Sequence, residues 1–213
     1  MTSSLERRGT PPEQAAAAVI LLHGRGGTAG SMLDLAAAMP VPRVTWLAPQ
    51  APGHTWYPQS FLAPLTANEP ALSQALGTVD EIVSNLITSG VQQSRIVLLG
   101  FSQGACLAAE YALRHPVRYG GLILLTGGAI GPDGTSWEGP AGFEGMPVFA
   151  GTSDPDPHVP LTRVRETVDV LARRGADVRL ETYAGMPHMV SDDELAHARA
   201  VIHGVAATDG TDG

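Results

Sequence analysis

Short apolar runs alternate with amphipathic stretches along most of this chain, and the alternation predicts its elements. Ala17–Leu22 is continuously apolar, as expected of a strand covered on both faces. A helix over residues 31–39 follows, with Ser31 at its N-cap and Pro40 ending it. Residues 44–48 read as a second strand. Over 71–89, Leu72, Leu76, Val79, Val83, Leu86 and Ile87 fall at helical spacing, and Gly90 marks the stop. Residues 95–99 read as a strand and Gln103–Arg114 as a helix closed by Pro116. Gly121–Leu125 and 147–150 are further strands. Residues 159–174 form a helix ended by Gly175, 178–182 a sixth strand, and Asp192–Ala207 the last helix. The Gly- and Pro-rich stretch between 125 and 147 interrupts the pattern and reads as a long loop.

Alternation of this kind specifies the α/β class, with a mostly parallel sheet of about six or more strands and helices on both faces. Ligands of such sheets bind beyond the carboxyl ends of the strands, so chemistry is sought just after each one. A chain of 213 residues suits one domain, here 15–207, with no internal repeat. Residues 1–14, with Pro11 and Pro12, and the tail 208–213, Thr-Asp-Gly-Thr-Asp-Gly, are expected to be flexible.

Composition narrows the partners. Hydrophobic residues make up 44% and charged residues 16%, a globular balance. The net charge of −8 disfavours nucleic acid, and Arg7-Arg8 is too short a basic run to reverse that. Cys106 is the single cysteine, so no intrachain disulfide forms, which suits a reducing cytoplasm. No basic-then-apolar leader opens the chain, and no apolar run is long enough to span a bilayer. The expectation is a cytoplasmic protein without stable membrane insertion.

Directly after the strand at 95–99 stands Gly100-Phe101-Ser102-Gln103-Gly104. A bare G-x-S-x-G is weak evidence, but on a strand-to-helix turn its small residues permit the strained backbone that lifts a nucleophilic serine above the sheet. A serine that merely caps the helix would not call for glycines on both sides. A serine hydroxyl needs a base to take its proton. Of seven histidines, His188 follows the last strand on a turn made by Gly185 and Pro187, so it is the candidate base. His23 opens a glycine-rich loop and is expected to order it. The acid that orients the imidazole should follow the strand at 147–150, where both Asp154 and Asp156 stand. Negative charge on a tetrahedral intermediate needs waiting backbone donors. Gln103 N–H, at a helix N-terminus, is one, and Arg25 N–H, in the loop His23-Gly24-Arg25-Gly26-Gly27, is the other.

These segments resemble the bacterial carboxylesterase/phospholipase family of α/β-hydrolases, related to the acyl-protein thioesterases. The resemblance rests on Leu-Leu-His23-Gly24-Arg25-Gly26, on Gly100–Gly104, on Asp156-Pro157-His158-Val159-Pro160 and on Gly185-Met186-Pro187-His188, in that order over most of 15–207. In that family's acid loop the catalytic Asp stands three residues before the Val-Pro pair, which selects Asp156. The resemblance implies an α/β-hydrolase fold without a large cap domain, acting on carboxylic esters or thioesters, lysophospholipids among them, and often a homodimer. Gly24-Arg25 stands where the thioesterases proper have Gly-Leu, which points to the smaller-ester branch.

In the segment His54-Thr-Trp56-Tyr57-Pro-Gln-Ser-Phe61-Leu62 after the second strand, His54, Trp56, Phe61 and Leu62 are candidate substrate-pocket residues, though Trp56 and Phe61 equally suit packing under a long loop; His158 and the methionines Met186 and Met189 stand beside the acid and the base. The predicted reaction needs no cofactor, and no His/Cys/Asp spacing suggests a metal. Two other readings use the same fold: a dienelactone-type or C–C bond hydrolase with the same triad, and a ligand-sensing protein with little turnover.

Overall fold

The computed structural model describes residues 4–207. Its seven strands are β1 (Leu5–Gly9), β2 (Ala17–Leu22), β3 (Val44–Pro49), β4 (Ile96–Phe101), β5 (Gly121–Leu125), β6 (Pro147–Asp154) and β7 (Asp177–Ala184). They form one sheet in the order β1-β3-β2-β4-β5-β6-β7. Only β1 runs antiparallel to its neighbour, pairing Leu5 with Pro49 and Gly9 with Thr45. Five helices connect the strands: α1 (Ala29–Ala37), α2 (Ala71–Thr88), α3 (Gln103–Arg114), α4 (Leu161–Arg173) and α5 (Asp192–Ala207).

The continuous apolar runs are explained by what covers each face. In β2, Ala18, Ile20 and Leu22 face the core under α2, α3 and α4, while Ala17, Val19 and Leu21 face the core under α1 and α5. β4 alternates in the same way, Ile96 and Leu98 against Val97 and Leu99. Both faces bury side chains, so period-two polarity disappears from the central strands. The fold is that of an α/β-hydrolase, with no large cap among the described residues.

Two sequence expectations change here. Residues 5–9, expected to be flexible, are an edge strand. Four of the five are exposed, and the backbone ladder to β3 orders them rather than an apolar face. The tail 208–213 and residues 1–3 lie outside the described residues. At α1, the N-cap is Thr28, not Ser31. Thr28 Oγ1 accepts from Ser31 N–H at 3.0 Å, and Ser31 Oγ accepts from Thr28 N–H at 3.2 Å, so Ser31 closes the capping box from the third helical position.

Candidate active site

The turn from β4 into α3 is built on two close approaches. A Cβ on Gly100 would overlap the Gly104 carbonyl oxygen, and one on Gly104 would overlap the Leu22 carbonyl oxygen of β2. Neither position accepts a side chain, which explains the glycines two residues either side of Ser102. Ser102 itself holds φ 53° and ψ −117°, a conformation that L residues rarely adopt. Its N–H donates to Leu125 O at 2.9 Å and its carbonyl accepts from Cys106 N–H at 3.0 Å, which fixes the turn. Its hydroxyl makes no capping bond to α3.

That hydroxyl lies 2.9 Å from His188 Nε2. His188 Nδ1 donates in turn to Asp156 Oδ2 at 2.8 Å. The Asp156 side chain is fully buried and receives three further bonds, from Ser153 Oγ at 2.7 Å and from the amides of His158 and Val159 at 2.8 Å each. Burial alone would raise its pKa. The hydrogen bonds from His188, Ser153, His158 and Val159 outweigh burial and hold it below the usual carboxylate value. Asp154, the last residue of β6, is exposed, and its contribution is a carbonyl that accepts from Gly185 N–H at 3.0 Å. The structure thus brings Ser102, His188 and Asp156 into one hydrogen-bonded chain and leaves Asp154 outside it.

The loop after β2 arrives beside Ser102. A Cβ on Gly24 would touch the Phe101 ring and Ser102 Cβ at 3.2–3.4 Å. Neither the Arg25 nor the Gln103 amide donates to a backbone carbonyl among the described residues. His23 is buried in the base of this loop. Its Nε2 accepts from Ala51 N–H at 3.1 Å, so Nδ1 carries the proton and donates to Gly24 O at 2.7 Å. Burial lowers its pKa and keeps the ring neutral in this role. It orders the loop, as its position in the sequence suggested.

A cavity of about 540 Å³ opens at Ser102. Phe61, Phe101, Val159 and Tyr57 give it apolar walls, and His158 and His188 stand at one side, their rings edge-to-face at 4.9 Å. Cys106, one helical turn past Ser102, lies at its inner surface. Burial raises the Cys106 thiol to about 12, so it stays protonated and is no second nucleophile. Among the described residues no three His, Cys, Asp or Glu side chains converge to hold a metal ion, and no helix is long and apolar enough to cross a membrane.

Of the residues expected to line a substrate pocket, Phe61 and His158 do so and five do not. Trp56 is buried beneath the loop, its indole N–H donating to His23 O at 2.8 Å and its ring 4.9 Å from the imidazole. His54 spends its Nδ1 on Gly27 O at 2.8 Å, bracing the loop instead of facing the cavity. Leu62 packs on the apolar core. Met186 and Met189 lie outside the cavity because the turn that sends His188 inward carries its neighbours away from it, leaving Met189 exposed. The sequence reading missed the polar Gln59 and Ser60, which form a wall of the cavity together with Tyr57 and Pro58. No periodicity marks them, since they belong to neither helix nor strand.

Known proteins share this arrangement of elements. The chain is 41% identical to a crystallised phospholipase/carboxylesterase from Dyadobacter fermentans, with TM-score 0.89, over 94% of this chain and 96% of that one. It is 27% identical to acyl-protein thioesterase 1 of Cryptococcus neoformans over 92% of this chain and 95% of the relative. At 18% identity a Bacillus cereus carboxylesterase shares the fold, with TM-score 0.75 over 95% and 94% of the two chains. Since the pattern of the phospholipase/carboxylesterase family extends over residues 9–205, the chain belongs to that family of α/β-hydrolases.

Proposed function

We propose that the protein hydrolyses small carboxylic esters, thioesters included, through a Ser102–His188–Asp156 triad and an acyl-enzyme. The observation that carries this reading is the unbroken hydrogen-bonded chain from the Ser102 hydroxyl through both ring nitrogens of His188 to a buried carboxylate. Kinship to proteins named carboxylesterase and thioesterase supports it. A cavity of about 540 Å³ falls in the range that takes a small organic ligand.

His188 Nε2 takes the Ser102 proton as Oγ bonds to the substrate carbonyl carbon, and the carbonyl electron pair moves onto oxygen. The Arg25 and Gln103 amides donate to that oxyanion. Asp156 stabilises the imidazolium and holds Nδ1–H in place. The oxyanion collapses, the bond to the alcohol or thiol breaks, and His188 returns the proton to the leaving group. Water, deprotonated by the same Nε2, then cleaves the acyl-enzyme and restores Ser102. His158 and Phe61, at the cavity wall, contact the substrate.

The test is hydrolysis of p-nitrophenyl esters from acetate to palmitate. Ser102→Ala should lower kcat roughly 10⁴–10⁶-fold, and Asp156→Asn about 10⁴-fold. Asp154→Asn should leave turnover near wild type, and its loss in a folded Asp154→Asn protein would overturn Asp156 as the acid. A folded wild type that turns over none of these esters would overturn the esterase reading. Stability gives a separate check. The folded pKa of Asp156 is depressed, so its contribution is complete above the unfolded value of about 4 and is lost as pH falls through the lower folded value. Acid titration of the melting temperature should lose that limb in Asp156→Asn.

A further inference from the structure

The wall formed by residues 55–60 has no helix or strand to hold it, yet three side chains pin it along its length. Asn68 holds the far end, accepting from Gln59 N–H at 2.8 Å and donating to Ser60 O at 3.0 Å. Gln103 holds the near end, accepting from Trp56 N–H at 3.0 Å and donating to Tyr57 O at 2.8 Å. Arg25 holds the middle. Its Nη1 donates to Thr55 Oγ1 at 3.0 Å and to Pro58 O at 3.1 Å, and its Nη2 to Tyr57 O at 3.0 Å and Gln59 O at 2.8 Å. Both terminal nitrogens are therefore committed to the wall, and no carboxylate pairs with the guanidinium among the described residues. Only a planar fork reaches four acceptors spread over five residues; an ammonium at the end of a flexible stem cannot.

We propose that the Arg25 side chain is a positioning residue that fixes the width of the acyl pocket, so that esters with short acyl chains are selected over long ones. The inference rests on the esterase reading, but the holding of the wall can be measured without turnover. Tyr57, Pro58, Gln59, Ser60 and Phe61 all line the cavity, and every carbonyl that Arg25 binds belongs to them. The residue whose amide faces the oxyanion thus carries a side chain that sets the distance to the opposite wall. Replacing that side chain leaves the amide in the backbone, so the pocket and the oxyanion donors can be perturbed separately.

The experiment compares wild type, Arg25→Leu and Arg25→Lys by hydrolysis of p-nitrophenyl acetate, butyrate, octanoate and palmitate, and by amide hydrogen exchange of the 55–61 segment. Leucine keeps an aliphatic stem and removes all donors; lysine keeps the charge and loses the fork. In Arg25→Leu the ratio of kcat/KM for octanoate over butyrate should rise about tenfold, the equivalent of one lost charge-assisted bond, mainly through KM for the short ester. Exchange of the 55–61 amides should speed by a similar factor. Arg25→Lys should fall between the two. An unchanged chain-length profile, or exchange as slow as wild type in Arg25→Leu, would overturn the proposal. So would full rescue by lysine, which would make Arg25 a charge near the oxyanion and not a clamp. A leucine variant that no longer melts cooperatively would also overturn it, by making Arg25 a residue that holds the fold. If wild type hydrolysed no ester while the exchange difference appeared, the functional reading would fail and the wall-holding role would stand.

Discussion

Two long irregular connections cross the carboxyl end of the sheet, and both are pinned by guanidinium groups on backbone carbonyls. The connection over residues 50–70 is held by Arg25, an exposed residue at the cavity rim. The connection over 126–146 is held from behind by α4. Arg163 donates to Ala129 O at 3.1 Å and Gly131 O at 2.6 Å and lies over the Trp137 ring at 5.0 Å. Arg174, just past α4, donates to Pro140 O at 2.9 Å and Leu113 O at 3.0 Å and lies over Phe143 at 5.1 Å. Arg163 and Arg174 are 2% and 5% exposed. The two connections meet through a backbone bond, Gly131 N–H to Phe61 O at 2.8 Å. Only the first lines the cavity. The same chemical device therefore serves different ends: a clamp rooted in the site shapes the pocket, while a clamp rooted in a rear helix stabilises the fold.

That division of labour can be broken by experiment. Arg163→Ala should cause the largest loss, about 2–6 kcal/mol of stability, because the Ala129 and Gly131 carbonyls lose their donor inside the protein. At a temperature where it remains folded, its KM should match wild type. A change in substrate profile would erase the distinction between the two connections. Asn68→Ala should sharpen the distinction from the other side. It should cost about 1–3 kcal/mol, since Gln59 N–H and Ser60 O are left unpaired, and it should also raise KM, because the freed residues belong to the cavity wall. Denaturant melts with parallel ester kinetics check both variants. The smallest effect has the opposite sign. Ser102→Gly relieves a positive φ and should raise stability by about 1 kcal/mol while abolishing turnover, whereas Ser102→Ala, which keeps a Cβ, should gain no such relief.

The contrast also explains what could be read from the sequence. Ser102 and His188 were legible because the chain rule for parallel sheets puts functional residues after strands, and glycines mark the turn. Asp156 was separated from Asp154 only by family resemblance, since one ends β6 and the other stands two residues beyond it, and turn chemistry suits both. What separates them physically is the pair of amides at His158 and Val159, visible only once the loop is folded. The wall at Tyr57 to Gln59 was illegible because its order comes largely from Arg25 and Gln103, more than thirty positions away, through bonds to carbonyls that every residue type possesses. Trp56 misled for a related reason. Its bulk suits a pocket equally well as a brace, and the choice was made by one indole bond to His23. The β1 strand was missed because an exposed edge paired by its backbone carries no apolar signature.

The contact between Gly104 and the Leu22 carbonyl has a consequence for how such enzymes diverge. It seats the nucleophile's helix directly on the end of β2, the strand that runs into the loop bearing the Arg25 amide. The two proposed oxyanion donors are thereby brought into register at a point of direct main-chain contact. In the proposed mechanism the donor spacing is thus set chiefly by the backbone, and divergence in substrate would fall to the side chains that hold the wall.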